Sequence, residues 1–166
     1  MAGSAEYKFL QQQGYTEDTE ENAKTHYNAL LFQPILVGSF MALAILFQSA
    51  TIFFIFGVIL WFNTLLPQFN VFEMIYNSTL RLMRNEPRLG AAPMPRRFMQ
   101  GMAGTLMLLA SFTLSAGLLT VSYIFQAFIA VAFAALLFGK FCLGAYIYHV
   151  LSGRTKFANA TCPWSR

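Results

Sequence analysis

Long apolar runs, rather than alternation of apolar and polar positions, organise this chain. Leu30 to Gln48, "LLFQPILVGSFMALAILFQ", is the first. About 20 helical residues rising 1.5 Å each cover a hydrocarbon core of about 30 Å, so this run is long enough to span a bilayer. Pro34 near its start either kinks a helix or opens one. The polar pause "QSAT" precedes a second run, Ile52 to Leu66, which is short for a full crossing and must borrow length from its flanks or sit in thinned lipid. A third run extends from Phe98 to about Leu119. After "TVSY" a fourth begins, and nothing in its composition breaks it before Ser152-Gly153. The pattern predicts an all-α membrane protein with four transmembrane helices in two hairpins; a closed barrel would need alternation.

The flanks divide the chain further. Residues 1–28 form a polar N-terminal segment holding Glu6, Glu17, Asp18, Glu20 and Glu21. It has no basic start followed by an apolar core, so no signal peptide is expected. Within it "TEDTEENAKTHYN" reads as a helix start, with Thr16 as cap and acids in the first turn. Residues 29–152 make the membrane domain, and 153–166 a short tail.

Between the hairpins, residues 67–97 are more than a linker. Asn70, Glu73, Asn77, Arg81 and Arg84 recur every three to four positions, with Val71, Phe72, Ile75, Tyr76, Thr79, Leu80, Leu82 and Met83 between them. This is a helical period, and Asn70 with Glu73 makes a cap pair. Such a helix is expected to lie in the membrane interface, apolar face down, with Arg81, Arg84, Arg88, Arg96 and Arg97 near anionic headgroups and Val71, Ile75 and Tyr76 toward lipid. The alternative is a docking surface for a protein partner. "EPRLGAAPMPRRF" follows, where prolines and a glycine are expected to delay helix until Phe98.

Charge settles the expected orientation. All eleven Lys and Arg fall outside the two turns near Gln48–Thr51 and Thr120–Tyr123. Four crossings put every one of them, Arg166 included, on one side. The positive-inside bias makes that side the cytoplasm, with both termini and the central loop there. Composition agrees: 57% of residues are hydrophobic and only 11% charged, against about 25% charged in soluble domains. A faint repeat also runs through the chain. An offset of 66 aligns Phe32, Gly38 and Met41 with Phe98, Gly104 and Met107, and an offset of 72 aligns Phe69, Ile75 and Tyr76 with Phe141, Ile147 and Tyr148. Apolar composition alone generates some such matches; a true repeat would make the hairpins parallel copies about the membrane normal.

"NVFEMIYN", "PMPRRFMQGMAGTLMLLA" and "FGKFCLGAYIYH" together resemble an uncharacterised bacterial integral-membrane family, domain of unknown function 4395, over residues of about 28 to 150. The resemblance implies two helical hairpins joined by an amphipathic stretch, a Pro-Arg-Phe-x-Gln opening to the third helix and an FCxG-type motif near the end of the fourth. It implies a bacterial cytoplasmic membrane, and carries no assigned activity. Relatives often have a second cysteine three residues after the first; here that position is Ala145.

The candidate chemistry is sparse. Cys142 is one of two cysteines and reads as a packing residue in an apolar helix. Cys142, Tyr146 and His149, spaced by four and three, share a helical stripe, and His26 lies near the same end of the first run. A haem, pigment or small metal could in principle use His26 and His149. Metal sites want three or four ligands, so the blander reading is a pair of interfacial histidines. No acidic residue lies in any of the four runs, which argues against a pump or ion-coupled transporter. Gln33, Gln48, Asn63, Gln100 and Gln126 suit interhelical hydrogen bonds, and Gly38 with Ala42, Gly101 with Thr105, Ser111 with Ser115 and Ala130 with Ala134 suit close helix packing. Many phenylalanines point more than one way around their helices and must meet lipid or protein. The chain therefore reads as a non-catalytic accessory or structural subunit of a larger membrane complex. Its expected partners are the bilayer and other membrane subunits or a second copy, not nucleic acid. The alternative is a redox-linked membrane protein using Cys142, or His149 and His26, with a cofactor or quinone. A transporter of a neutral or sulfur-containing molecule comes third.

Overall fold

A computed structural model describes residues 4–17, 19–84, 86 and 88–164. Asp18, Pro87 and Arg166, which entered the expectations above, lie outside them. The described residues are helical throughout, without a strand. In chain order the helices are α1 (Ala5–Gln12), α2 (Ala23–Leu46), α3 (Ala50–Leu65), α4 (Val71–Ser78), α5 (Leu80–Arg84), α6 (Met94–Ser115), α7 (Leu119–Gly139), α8 (Leu143–Leu151) and α9 (Thr155–Ala160). Three of them, α2, α6 and α7, are long and apolar enough to cross a membrane; α3 is apolar and shorter.

Several boundaries differ from expectation. Thr16 caps nothing: α2 starts at Ala23 with Asn22 at its cap position. Pro34 lies inside α2, halfway along, so it does not open the helix. The third long helix starts at Met94 rather than Phe98, because Pro95 falls in its first turn, where no amide hydrogen is needed. The N-terminal segment carries a helix of its own. Its helix α1 buries Phe9 and Leu10 against the bundle.

The largest correction concerns the fourth run. It breaks at Gly139–Cys142: Lys140 adopts a left-handed conformation at φ 49°, and α8 begins anew at Leu143. Packing forces this, since Gly144 sits 3.0 Å from the Cα and Cβ of Met99 by the place its own Cβ would take. The faint repeat foreshadows the break. Asn70 caps α4 and Cys142 stands at the cap of α8, 72 positions apart, and Val71 and Leu143 open the two short helices. The same order occurs twice: long helix, turn with a left-handed residue (Gln48, then Gly117), second apolar helix, break, short helix.

The hairpins interlock unequally. Against α6, α3 packs backbone to backbone, the Cβ positions of Gly57 and Gly104 each lying 3.0–3.1 Å from the other's carbonyl oxygen. In the corresponding place, Gly38 of α2 meets first the ring of Phe133 and the tip of Leu137 on α7, side chains rather than backbone. Of the small-residue pairs read from the sequence, Gly101 packs on Thr64, whereas Ala42, Ser115 and Ala134 are exposed. At the turn end, Gln48 and Gln126 pair amide to amide at 3.1 and 3.2 Å, and the Ser111 hydroxyl donates to the Ala50 carbonyl. The phenylalanines divide: Phe53 is buried in the core, while Phe54, Phe128 and Phe138 project outward.

Candidate functional site

At the end opposite those turns, the short helices close over a polar centre built around Arg96. This side chain is 1% exposed. Its position in the first turn of α6, where Pro95 allows the chain to enter at the edge of α1 and α2, points it inward rather than to headgroups. Its Nη1 donates to Gln13 Oε1 at 2.7 Å and its Nη2 to Gln33 Oε1 at 3.0 Å. Nε lies 3.7 Å from Glu73 Oε1 on α4. Gln100, one turn further along α6, donates from Nε2 to the same Gln33 oxygen at 2.9 Å. A guanidinium fork suits this, offering several fixed donors to separate acceptors.

Glu73 is held by the cap geometry read from the sequence. Asn70 Oδ1 accepts from the amides of Phe72 and Glu73, starting α4 so that its third residue faces the arginine. Burial pushes the Glu73 carboxyl up to about 7, with Arg96 opposing. Desolvation dominates because the contact is an ion pair at 3.7 Å without a hydrogen bond.

A second cluster adjoins it at the break between α7 and α8. Gln12 Oε1 accepts from the Cys142 amide at 2.9 Å, and His149 Nε2 donates to the Gln12 carbonyl at 2.9 Å, which fixes the histidine tautomer. The Cys142 thiol donates to Met99 Sδ at 3.0 Å, and burial pushes it up to about 11. It is therefore a protonated packing group at neutral pH, poorly suited to nucleophilic or redox work. Ala145, three residues on, is fully buried. Cys162 is buried in the tail and donates to the Ala158 carbonyl.

The remaining residues singled out from the sequence scatter. His26 packs edge-on against Tyr15, while His149 packs against Tyr148 and Phe157. Each histidine thus has its own aromatic surroundings, and Tyr146 turns away to donate to Asn159. Among the described residues no cluster of three His, Cys, Asp or Glu is placed to hold a metal. Tyr76, expected toward lipid, is 1% exposed and donates its hydroxyl to Glu86; Val71 is half-buried and Ile75 exposed. Arg81 donates to the Glu86 carbonyl and Arg97 to the Thr64 carbonyl, whereas Arg84 and Arg88 are exposed. The helical period of this stretch is real only to Ser78. Thr79 breaks it, and exposed Leu82 and Met83 follow on α5 beside Arg81 and Arg84. Gln12 and Gln13 are the residues sequence reading missed. Their only signal was a run of three glutamines, Gln11, Gln12 and Gln13, at the end of a short amphipathic segment.

The model of a family described as a domain of unknown function, DUF4395, matches residues 27–152. The chain belongs to that family. No curated protein and no solved structure matches it. The matched region contains Arg96, Glu73, Gln33, Gln100 and Cys142; Gln12 and Gln13 lie before it.

Proposed function

We propose that this chain is a four-crossing protein of the bacterial cytoplasmic membrane that serves as a non-catalytic subunit of a larger membrane assembly. The observation that carries the subunit reading is how its chemical side chains are used. Arg96, Gln33, Gln100, Gln12, His149 and Cys142 all bond neighbours or backbone and so hold α1, α2, α4, α6 and α8 together. Such a centre shapes a scaffold. Around it, large apolar side chains stand outward on all four apolar helices, among them Leu46, Trp61, Phe112 and Phe138.

Four crossings are supported by the way α3 lies along α6. Thr64 meets Arg97 and Gly101, Gly57 meets Gly104, and Ala50 meets Ser111, so α3 runs beside α6 from one end to the other. A helix so paired with a spanning helix shares its depth. With the basic residues then on one side, the positive-inside bias puts both termini and the α4–α5 connection in the cytoplasm. The resemblance to the family is what supports a bacterial origin. Gentle detergent extraction from the native membrane and measurement of particle mass test the subunit reading. A particle well above the 18.7 kDa chain plus its detergent, containing other polypeptides, is expected. A lone monomer or small homo-oligomer overturns it.

A further inference from the structure

Asn63 sets the depth at which α4 lies. Its side-chain oxygen accepts the Val71 amide at 3.0 Å, so α4 opens level with the last turn of α3 rather than beyond it. Pro67–Phe69 makes the turn between them, and Arg97 reaches from α6 to the Thr64 carbonyl at the same level. On the membrane reading this is where the apolar helices leave the hydrocarbon core, and α4 runs on from there as a boundary element. One face of α4 packs on the bundle through Phe72, Glu73 and Tyr76. A helix with water on its other side would carry polar groups there. That side instead holds exposed Met74 and Ile75, and α5 continues with Leu82 and Met83, 67% and 83% exposed.

The segment is held in shape from within. The Tyr76 hydroxyl donates to the Glu86 carboxylate, and Arg81 Nε donates to the Glu86 carbonyl at 3.2 Å. Asn77 exchanges two 3.0 Å hydrogen bonds with the Leu89 backbone, which pins the returning chain to α4. These bonds draw Glu86 onto α4, while buried Glu73 faces Arg96. Glu73 and Glu86 are the two acids of residues 67–97, so both are engaged inside. Arg84 and Arg88 are exposed, and among the described residues neither is in an ion pair.

We propose that Met74, Ile75, Leu82 and Met83 dip into the acyl boundary of the adjoining leaflet while Arg84 and Arg88 hold the phosphates of anionic phospholipids. Charge decides the occupant. Two unpaired cations beside large apolar side chains complement an anionic leaflet, which is negative at its surface and apolar beneath. A protein would have to displace lipid to reach α4 at this depth. The contact is not the one the helical period suggested, since Tyr76 and Arg96 point into the molecule. It rests on the membrane reading and not on the subunit reading.

The test uses the purified full-length chain with Cys142→Ala and Cys162→Ala, in phosphatidylcholine nanodiscs with and without about 30% phosphatidylglycerol. In the anionic discs an environment-sensitive dye on Met83→Cys is expected to emit as in an apolar medium and to be quenched by lipids brominated high on the acyl chain. Arg84→Gln and Arg88→Gln should each lower the ratio of docked to undocked dye about fivefold there. Both side chains are exposed, so these variants leave the fold intact. A dye on Phe128→Cys, outward and midway along α7, checks the membrane reading by itself. Quenching at Phe128 with the Met83 dye in water overturns the lipid contact and leaves α5 to a protein partner. Equal quenching at Met83 in both discs, indifferent to the two arginine variants, overturns the anionic preference. Absence of quenching at both positions overturns the membrane reading, and the contact with it.

Discussion

At the scale of single residues, Arg96 and Glu73 decide how this protein responds to mutation and pH. Removing a buried guanidinium bonded to Gln13 and Gln33 and paired with Glu73 orphans Gln13 Oε1 and the Glu73 carboxyl and leaves Gln33 Oε1 with Gln100 alone. Arg96→Leu should therefore cost about 3–5 kcal/mol, read as a large drop in the thermal midpoint in detergent, and Arg96→Lys should recover only part, because one ammonium cannot reach all three acceptors. A midpoint within a degree or two of wild type for the leucine variant would mean that the centre contributes nothing. Glu73 supplies the pH dependence. Its carboxyl is raised by burial from an ordinary 4.5 to about 7, so the folded chain holds that proton more tightly than the unfolded one. The stability this contributes is complete below about pH 4.5 and is lost as pH rises through 7. Glu6, lowered by its hydrogen bond to Lys140, acts below that window and with the opposite sign. Wild type should thus unfold at a higher temperature at pH 5.5 than at pH 8, with the difference reduced in Glu73→Gln; an equal slope in the variant would assign the dependence elsewhere. Little of this was legible beforehand. Arg96 and Arg97 are adjacent identical residues in the sequence, and only one turns inward; its partner Gln13 lies 83 positions away.

At the scale of elements, α1 and the break before α8 depend on each other. Glu6 meets Lys140 at 2.6 Å, beside the left-handed turn, and Gln12 receives the Cys142 amide that the break leaves without a helical partner. The first helix thus closes a gap that the end of the fourth apolar run creates. This was hidden from a reading by hydropathy, since Phe138 to His149 stays apolar across the break and residues 1–28 look polar on average. The offset of 72 was the better guide, because it equates Asn70 with Cys142 and so predicts a new helix start. What periodicity did convey was the Asn70 cap, the interhelical amides and the existence of the long helices; it could not convey which face of α4 turns inward, because Glu73 is buried by an ion pair rather than by its own character. The arrangement predicts thiol chemistry. With Cys162→Ala removing the tail thiol, Cys142 in the intact chain should react with a maleimide at pH 7.5 far more slowly than an exposed cysteine, being buried and protonated. Deleting residues 1–15 should raise that rate by at least about tenfold by uncovering the start of α8. Rapid alkylation of the intact chain would show that α1 does not cover it.

At the scale of the whole molecule, the open question is whether α3 crosses, because its 16 residues rise only about 24 Å against a core of about 30 Å. The two answers place the second half of the chain on opposite sides. If α3 crosses, the turns at Phe47 and Ala116 face the same compartment; if it stops short, α6 starts from the far side and Ala116 lands opposite Phe47. Packing favours the crossing: α3 is fastened to α6 at Thr64, Gly57 and Ala50, and separating them would expose Asn63, whose side chain accepts the Val71 amide and holds the start of α4. The Ser49 hydroxyl, which accepts from the Ile52 amide, and the turn Pro67–Phe69 extend the apolar length at either end of α3. Single cysteines settle it. On a background of Cys142→Ala and Cys162→Ala, Phe47→Cys and Ala116→Cys occupy exposed, unstrained positions beside the turns. Both should be labelled in intact cells by a membrane-impermeant maleimide, and Arg154→Cys only after the membrane is opened. Labelling of Phe47→Cys together with Arg154→Cys, but not Ala116→Cys, is the signature of three crossings. It would also put Arg96 and Gln13, whose side chains are joined here by a 2.7 Å hydrogen bond, on opposite faces of the bilayer.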